Sequence, residues 1–316
     1  MSSSFYDRTT GNISGVNPLA SLSTVFPAYG SRVAITSRNS AYETQNGYYN
    51  MMPMSVNNLN AKFELRYDLP ETQAQQLVRF LELKSGQEFI EFDDPSDFYK
   101  PVTGVCDNYA INHINKRHYE VAFSLEVFQA SSVLNWSGMS YINTAPKTWS
   151  SGQAFTKYDI LYSGVNSNKL DNFYYCTENH TSASSSLDGP TGSGAKWSQS
   201  FFFEPDVGVQ NDVKMKIDTL DFKNSFIQKI NSSRNISLVN WQYKFENIDD
   251  QKAKAIFHFL ENKFGYRRFY HTPSSVYNRL KVYYSPSWQH TWNYNNSHTL
   301  EVEIVEDPLG IVPQDQ

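Results

Sequence analysis

One pattern occurs twice in this chain of 316 residues. Phe80-Leu81-Glu82 and Phe259-Leu260-Glu261 each sit near the end of an amphipathic stretch, and Gly86 and Gly265 follow at the same offset. Upstream, Leu59 to Tyr67 alternates apolar and polar residues, as does Asn240 to Phe245, and such alternation marks a half-buried strand. Ala74, Leu77, Val78 and Leu81 fall at helical spacing after Pro70, which opens the first helix. Ala253, Ile256 and Leu260 do the same after Asp249-Asp250, whose carboxylates suit a helix start. Each helix ends at its glycine and leads to a short aromatic strand, at Phe89, Ile90 and Phe92 in one case and Phe269 in the other. A proline turn and closing strands complete each copy, with Tyr119 to Val127 in the first and Leu300, Val302 and Ile304 in the second. Further matches join Asn39-Ser40 to Asn224-Ser225, and Asn115 and His118 to Asn295 and His298. An internal duplication accounts for all of these.

The expected fold is therefore mainly β with two short helices, built as a duplicated small β-barrel plus helix unit. The expected boundaries are an N-terminal arm at 1–26, a first unit at 27–144, an insert at 145–205, a second unit at 206–307 and a tail at 308–316. Gly11, Gly15 and Pro18 interrupt any periodicity in the arm. The insert lacks helical stripes and is dense in Gly, Ser and aromatics, which reads as a small all-β domain with strands at Asp159–Tyr162 and Asn172–Cys176.

Charged residues make up 19% of the chain and aromatics 15%, with 21 Tyr and 21 Phe. Such a chain can bury a core, and wholesale disorder is excluded. A net charge of −5 argues against nucleic acid as a partner, since backbone phosphates are bound by Lys and Arg. No apolar run approaches the ~20 residues of a membrane span, and the N-terminus shows no signal-peptide stretch. The chain is expected to be soluble and made in the cytoplasm. Cys106 and Cys176 then read as reduced, buried thiols, and the N-x-S/T triplets at Asn12, Asn135, Asn179, Asn231, Asn235 and Asn295 as by-products of composition. No histidine pair has the spacing of a helical zinc site, so no metal and no cofactor is expected.

Other motifs have plain readings beside their chemical ones. Gly189, Gly194 and Lys196 approach a phosphate-binding loop, but Ala195 displaces the lysine and Trp197 stands where a hydroxyl belongs. Asp93-Asp94 and Asp249-Asp250 fit turn and capping chemistry. No nucleophile elbow is present, so no catalytic residue is expected. Lys263, Arg267 and Arg268 follow a helix end, where cations complement the dipole; pairing with acidic groups on a neighbouring subunit is the alternative. The insert's aromatics are either the core of a small domain or a face that stacks on sugar rings.

The passages Phe80–Phe89 and Phe259–Phe269, with their flanking strands, resemble the minor tail protein M and distal tail protein family of long-tailed bacteriophages. The resemblance implies small β-barrels with one helix, assembled as a ring between tail tube and tail tip, with the unit here present twice. The implied partners are the chain itself, as six copies or as a trimer with pseudo-sixfold symmetry, together with tail tube and tail hub proteins. The implied location is the virion tail tip, and the implied role is structural, not enzymatic. The insert resembles chitin- or cellulose-type carbohydrate-binding modules at Trp149, Tyr158 to Gly164, Tyr175-Cys176, His180-Thr181 and Trp197, with Tyr158 where that pattern has glycine. That likeness implies Trp149, Tyr175 and Trp197 as glycan-binding candidates and a host cell-surface polysaccharide as partner. An adhesin with the repeats as scaffold is the alternative function.

Overall fold

The computed structural model describes residues 5–6, 27–43, 49–54, 58–84, 86–127, 140–163, 172–205, 209–215, 217–221, 227–231, 237–273, 281–293 and 297–307. Apart from 5–6 the proposed arm lies outside the described residues, as do the proposed tail, the Asn224-Ser225 match, Gly164, and the triplets at Asn12, Asn135, Asn235 and Asn295.

The chain is mainly β. Phe5–Tyr6 (β1) pairs with a later edge strand. The first unit then runs Arg32–Ser37 (β2), a hairpin of Asn39–Glu43 (β3) and Tyr49–Pro53 (β4), Leu59–Pro70 (β5), the helix Glu71–Lys84 (α1), Ile90–Phe92 (β6), Val102–Asn115 (β7) and His118–Val127 (β8). The insert follows with Ala154–Phe155 (β9), Ile160–Tyr162 (β10), Phe173–Cys176 (β11), His180–Thr181 (β12), one short helical turn at Ser185–Asp188 (α2) and Trp197–Ser198 (β13). The second unit comprises Gln210–Met215 (β14), a hairpin of Ile217–Asp221 (β15) and Ile227–Asn231 (β16), Ser237–Ile248 (β17), the helix Asp250–Asn262 (α3), Phe269–His271 (β18), Lys281–Tyr284 (β19), Ser287–Trp292 (β20) and His298–Glu306 (β21).

Both units have the same topology. In the first, β2 pairs β5, β5 pairs β8, β8 pairs β7 and β7 pairs β6, all antiparallel. In the second, β14 pairs β17, β17 pairs β21, β21 pairs both β19 and β20, and β19 pairs β18. The single strand β7 thus corresponds to β19 and β20 together. Registers agree residue by residue: Phe63 faces Leu125 as Trp241 faces Ile304, and Ile111 faces Val121 as His290 faces Leu300. A register shift after Phe245, with Asn247 at φ +52°, adds one residue to β17 and turns Ile248 into the core. The same registers place Tyr119 opposite Leu69 where His298 stands opposite Ile248, so His298 corresponds to Tyr119, one residue beyond the expected His118.

The two units are not separately closed among the described residues. β2 of the first pairs with β20 of the second, Val33 opposite His290 and Ile35 opposite Trp288, and this fuses them into one twelve-stranded sheet. The sheet ends at β14 on one side. Pro70 closes β5 and α1 begins at Glu71, with Ala74, Leu77, Phe80 and Leu81 buried against the sheet and Val78 only half-buried. Gly86 and Gly265 both take positive φ (+67° and +72°), the conformation that favours glycine after a helix.

Candidate functional site

The three aromatic candidates of the insert form no shared open face. Tyr175 is 1% exposed; its hydroxyl lies 2.9 Å from His258 Nδ1 and its ring meets Phe203 and Phe259. Trp197 is 8% exposed and packs with Phe155, Leu161 and Cys176. Trp149 is half-buried against that same cluster. The two tryptophans meet at one point, where both indole N–H groups donate to the Asp188 carbonyl, at 3.2 and 2.7 Å. Stacking on a sugar needs an accessible ring face, and Trp149 alone of the three offers part of one. Tyr158 holds φ +76°, so the left-handed backbone of a glycine persists there beneath a large side chain stacked on Phe202 and Phe203.

The remaining motifs take structural roles. Asp94 accepts from the backbone of Ser96 and Tyr99 at 3.0 and 3.1 Å, and Asp249 caps α3 by accepting from Lys252 N–H at 2.8 Å. Arg268 pairs with the buried Asp307, while Lys263 and Arg267 lie over the rings of Phe259 and Phe264. Gly189 runs against α2, where a Cβ would overlap the Ser185 carbonyl, so packing explains that glycine. Both cysteines are buried free thiols, and burial pushes Cys106 up to about 11 and Cys176 up to about 12. Among the described residues no cluster of His, Cys, Asp and Glu could hold a metal ion.

The most elaborate constellation surrounds α3. Residues 97–99 of the first unit lie across the face that α3 shares with β20. Phe98 stacks on His290 with centroids 4.5 Å apart and meets Phe257 edge-on at 6.0 Å. Tyr99 Oη lies 2.7 Å from His290 Nδ1, and His290 Nε2 lies 2.9 Å from His298 Nδ1. Lys254 donates to the Asp97 carbonyl at 3.1 Å. Next to this, Glu261 accepts from the Ser140 hydroxyl at 2.6 Å and from Tyr141 N–H at 2.9 Å. Burial dominates the electrostatics here: it drives His290 well down, His258 to about 3, and Glu261 up to about 7. The face is sealed, and the other unit and its linker supply partners to His290, Lys254 and Glu261, while His298 Nε2 and Trp288 Nε1 stay buried without a hydrogen bond.

The equivalent face of the first unit is open. Between α1 and the outer half of β7 lies a groove of about 430 Å³, lined by Ala74, Val78, Arg79, Glu82, Ile111 and Tyr119 among others. By register these correspond to Ala253, Phe257, His258, Glu261, His290 and His298, much of the sealed face. Ile111 is 47% exposed and His290 is 0% exposed. From Asp107 onward both faces of β7 are exposed. Sequence reasoning missed this site. The available signal was the repeat itself: Tyr109, Ile111 and His113 stand where the second copy has Trp288, His290 and Trp292, on a stretch from Asn108 to Ile114 without a Lys, Arg, Asp or Glu.

No family model matches the chain, and no curated protein matches it. Three solved structures to which it is similar at low identity are described as tails or tail proteins. One is the tail of an empty GTA particle with C6 symmetry, at 14% identity over 35% of this chain and 85% of that one, with a TM-score of 0.25. Another is the tail protein from Neisseria meningitidis MC58, at 9% identity over 89% and 98%, with a TM-score of 0.30. A third is the 43 kDa tail protein of prophage MuSo2 from Shewanella oneidensis, at 6% identity over 90% and 96%, with a TM-score of 0.35.

Proposed function

We propose that this chain is a structural protein of a phage tail that self-associates into a closed ring at the distal end of the tail tube. The observation that carries the reading is the continuous sheet: two copies of one unit are joined edge to edge with the same polarity through β2 and β20. A head-to-tail contact repeated through a fixed rotation either closes into a ring or grows into a filament. A chain that already holds two repeats needs three copies to supply six units, the symmetry that the family resemblance implies for tail tubes. Few charges and many aromatics suit repeated subunit contacts. The test is light scattering after size exclusion at tens of micromolar, with negative-stain imaging of the peak. The expected product is a ring of three times 36.3 kDa or a multiple of that mass. A persistent monomer, and exclusion of the tagged chain from tail particles, would count against it.

The insert as a host-glycan module is the finer part of the reading, and the half-exposed Trp149 is what favours it. Pull-down on host cell-wall polysaccharide should capture the chain and lose it with Trp149→Ala. Tyr175→Ala and Trp197→Ala would not be informative there, because Trp197 packs the insert's own cluster and Tyr175 packs the insert onto α3.

A further inference from the structure

The intramolecular junction between the two units supplies a template for the contact between chains. In the second unit, β20 is covered along its outer edge by β2, and Ile35 of β2 is 0% exposed there. In the first unit, the matching stretch of β7 has no strand on that edge among the described residues, because β6 pairs only with Val102 to Gly104. At the far end of the sheet β14 occupies the place of β2, and among the described residues no strand pairs with its outer edge. Val213 corresponds to Ile35 by register, since Val213 faces Val239 as Ile35 faces Ala61, and it is 39% exposed. Each chain therefore carries one unfilled donor edge and one unfilled acceptor edge of a pairing that it already makes once internally.

We propose that β14 of one copy adds to the β7 edge of the next, in the register of the β2–β20 junction. This deepens the ring reading, on which it rests, by naming the surface. Transposed residue for residue, Val213 comes opposite Tyr109, and Asn211 opposite Ile111. The occupant is a second copy because only this chain's own strand is shown fitting an edge of this kind. Physical pressure points the same way: an uncharged, partly apolar edge strand left open is a template for uncontrolled pairing. Neighbouring features follow the template. The end of β2 presses Ser37 onto Gly265, and Asn58 donates to the Phe264 carbonyl at 2.8 Å, so the end of β14 is placed to meet the turn at Gly86. The groove between α1 and β7 borders this edge and would close with it.

Two substitutions test the pairing. Ile111→Arg blocks the acceptor edge and Val213→Arg the donor edge; both positions are exposed in the single chain, so unaltered circular dichroism and melting confirm folding. Each variant alone is expected to drop from the wild-type assembly to a 36.3 kDa monomer. Mixed at equal amounts, they are expected to form a 1:1 dimer and nothing larger, since one intact donor meets one intact acceptor and both remaining edges are blocked. A self-complementary contact cannot give that result. Wild-type rings that persist in both variants overturn this surface and leave the ring reading standing. A wild type that is monomeric throughout overturns the pairing, and the tail reading is then decided separately by incorporation of the tagged chain into tail particles.

Discussion

The two helices of this molecule occupy the same place in the same topology and live in different surroundings. α1 buries one stripe, Ala74, Leu77, Phe80 and Leu81, with Lys84 at its end. α3 is buried without a break from Ala255 to Asn262. The stripe that meets the sheet is nearly the same in both, so the difference comes from what covers the remaining faces. Tyr175 and Phe173 of the insert lie on one side of α3, and residues 97–99 and 140–141 lie on the other. Residue identity follows suit: where α1 has Arg79, α3 has His258, and a histidine can be buried neutral whereas an arginine cannot. The unit's own sequence thus fixes one packed face, and neighbours decide the others.

The largest expected divergence between the units is in acid. His258, His271 and His290 are buried in the second unit, with folded values of about 3, about 4 and well below 6.5. The corresponding positions of the first unit hold Arg79, Phe92 and Ile111, with no histidine among them. A histidine whose folded value is depressed contributes stability that is present above about 6.5 and is lost as pH falls toward the folded value. Each should cost about 1.4 kcal/mol for every pH unit below that point. Glu261 works in the opposite sense: burial raises it, so its contribution is full below about 4.5 and is lost as pH rises through about 7. Asp94, also raised by burial, adds to that side near pH 4. Three groups outweigh one between pH 6.5 and 5, and the melting temperature should fall over that window. Hydrogen exchange at pH 5 should show β20 and α3 opening before β5 and α1; simultaneous opening would remove the distinction.

Next in size is a matched truncation. Phe257→Ala removes a ring in contact with Phe98, Tyr99, Trp288 and His290, and should cost about 3–5 kcal/mol. Val78→Ala at the corresponding position lines an open groove and should cost less than about 1 kcal/mol in the isolated chain. Urea denaturation measures both. Equal losses would mean that the groove is closed in solution.

The glycines give a smaller contrast. Gly86→Ala introduces a side chain at positive φ, with the Cys106 carbonyl 3.4 Å from the new Cβ, and should cost about 1 kcal/mol. Gly265→Ala adds an overlap with Ser37 across the junction, and roughly 2–4 kcal/mol is expected. If Ser37→Gly abolishes the difference between the two, the junction is the cause.

Local regularities were legible in the sequence because they repeat at short range. The strand alternations at Leu59–Tyr67 and Tyr119–Val127, the two helical stripes and the paired glycines all depend on neighbours within a few residues. The joining of β2 to β20 was not legible, since residues separated by most of the chain meet there and alternation does not say which edge accepts a strand. The His118–His298 match is one residue off because it rests on letters near a turn. β8 and β21 correspond without a shift, Leu125 with Ile304 and Val121 with Leu300, so Tyr119 is the counterpart of His298 and the identical letters fall beside it. The aromatics of the insert were visible as a cluster, but their direction was not. Tyr175 points inward to His258 because α3 lies directly beneath it, a long-range fact.

A last contrast concerns a pair of tyrosine hydroxyls. Tyr175 meets His258 inside the protein, and Tyr175→Phe leaves a buried imidazole nitrogen without that partner. The loss of a buried hydrogen bond of this kind typically costs about 1–3 kcal/mol, because the bond no longer offsets the desolvation of the nitrogen. Tyr109 donates to Glu82 at 3.1 Å on the open side of the first unit, where water replaces the bond, so Tyr109→Phe should leave monomer stability essentially unchanged. Thermal melts of the two variants at pH 7 compare the sites directly. The second value also depends on assembly: if Tyr109 is buried between copies in the register of the β2–β20 junction, the phenylalanine should matter more at high protein concentration than at low. A stability change for Tyr109→Phe that is the same across a hundredfold range of concentration would show that its hydroxyl stays in water, and that the open side of the first unit is not the one that receives a neighbour.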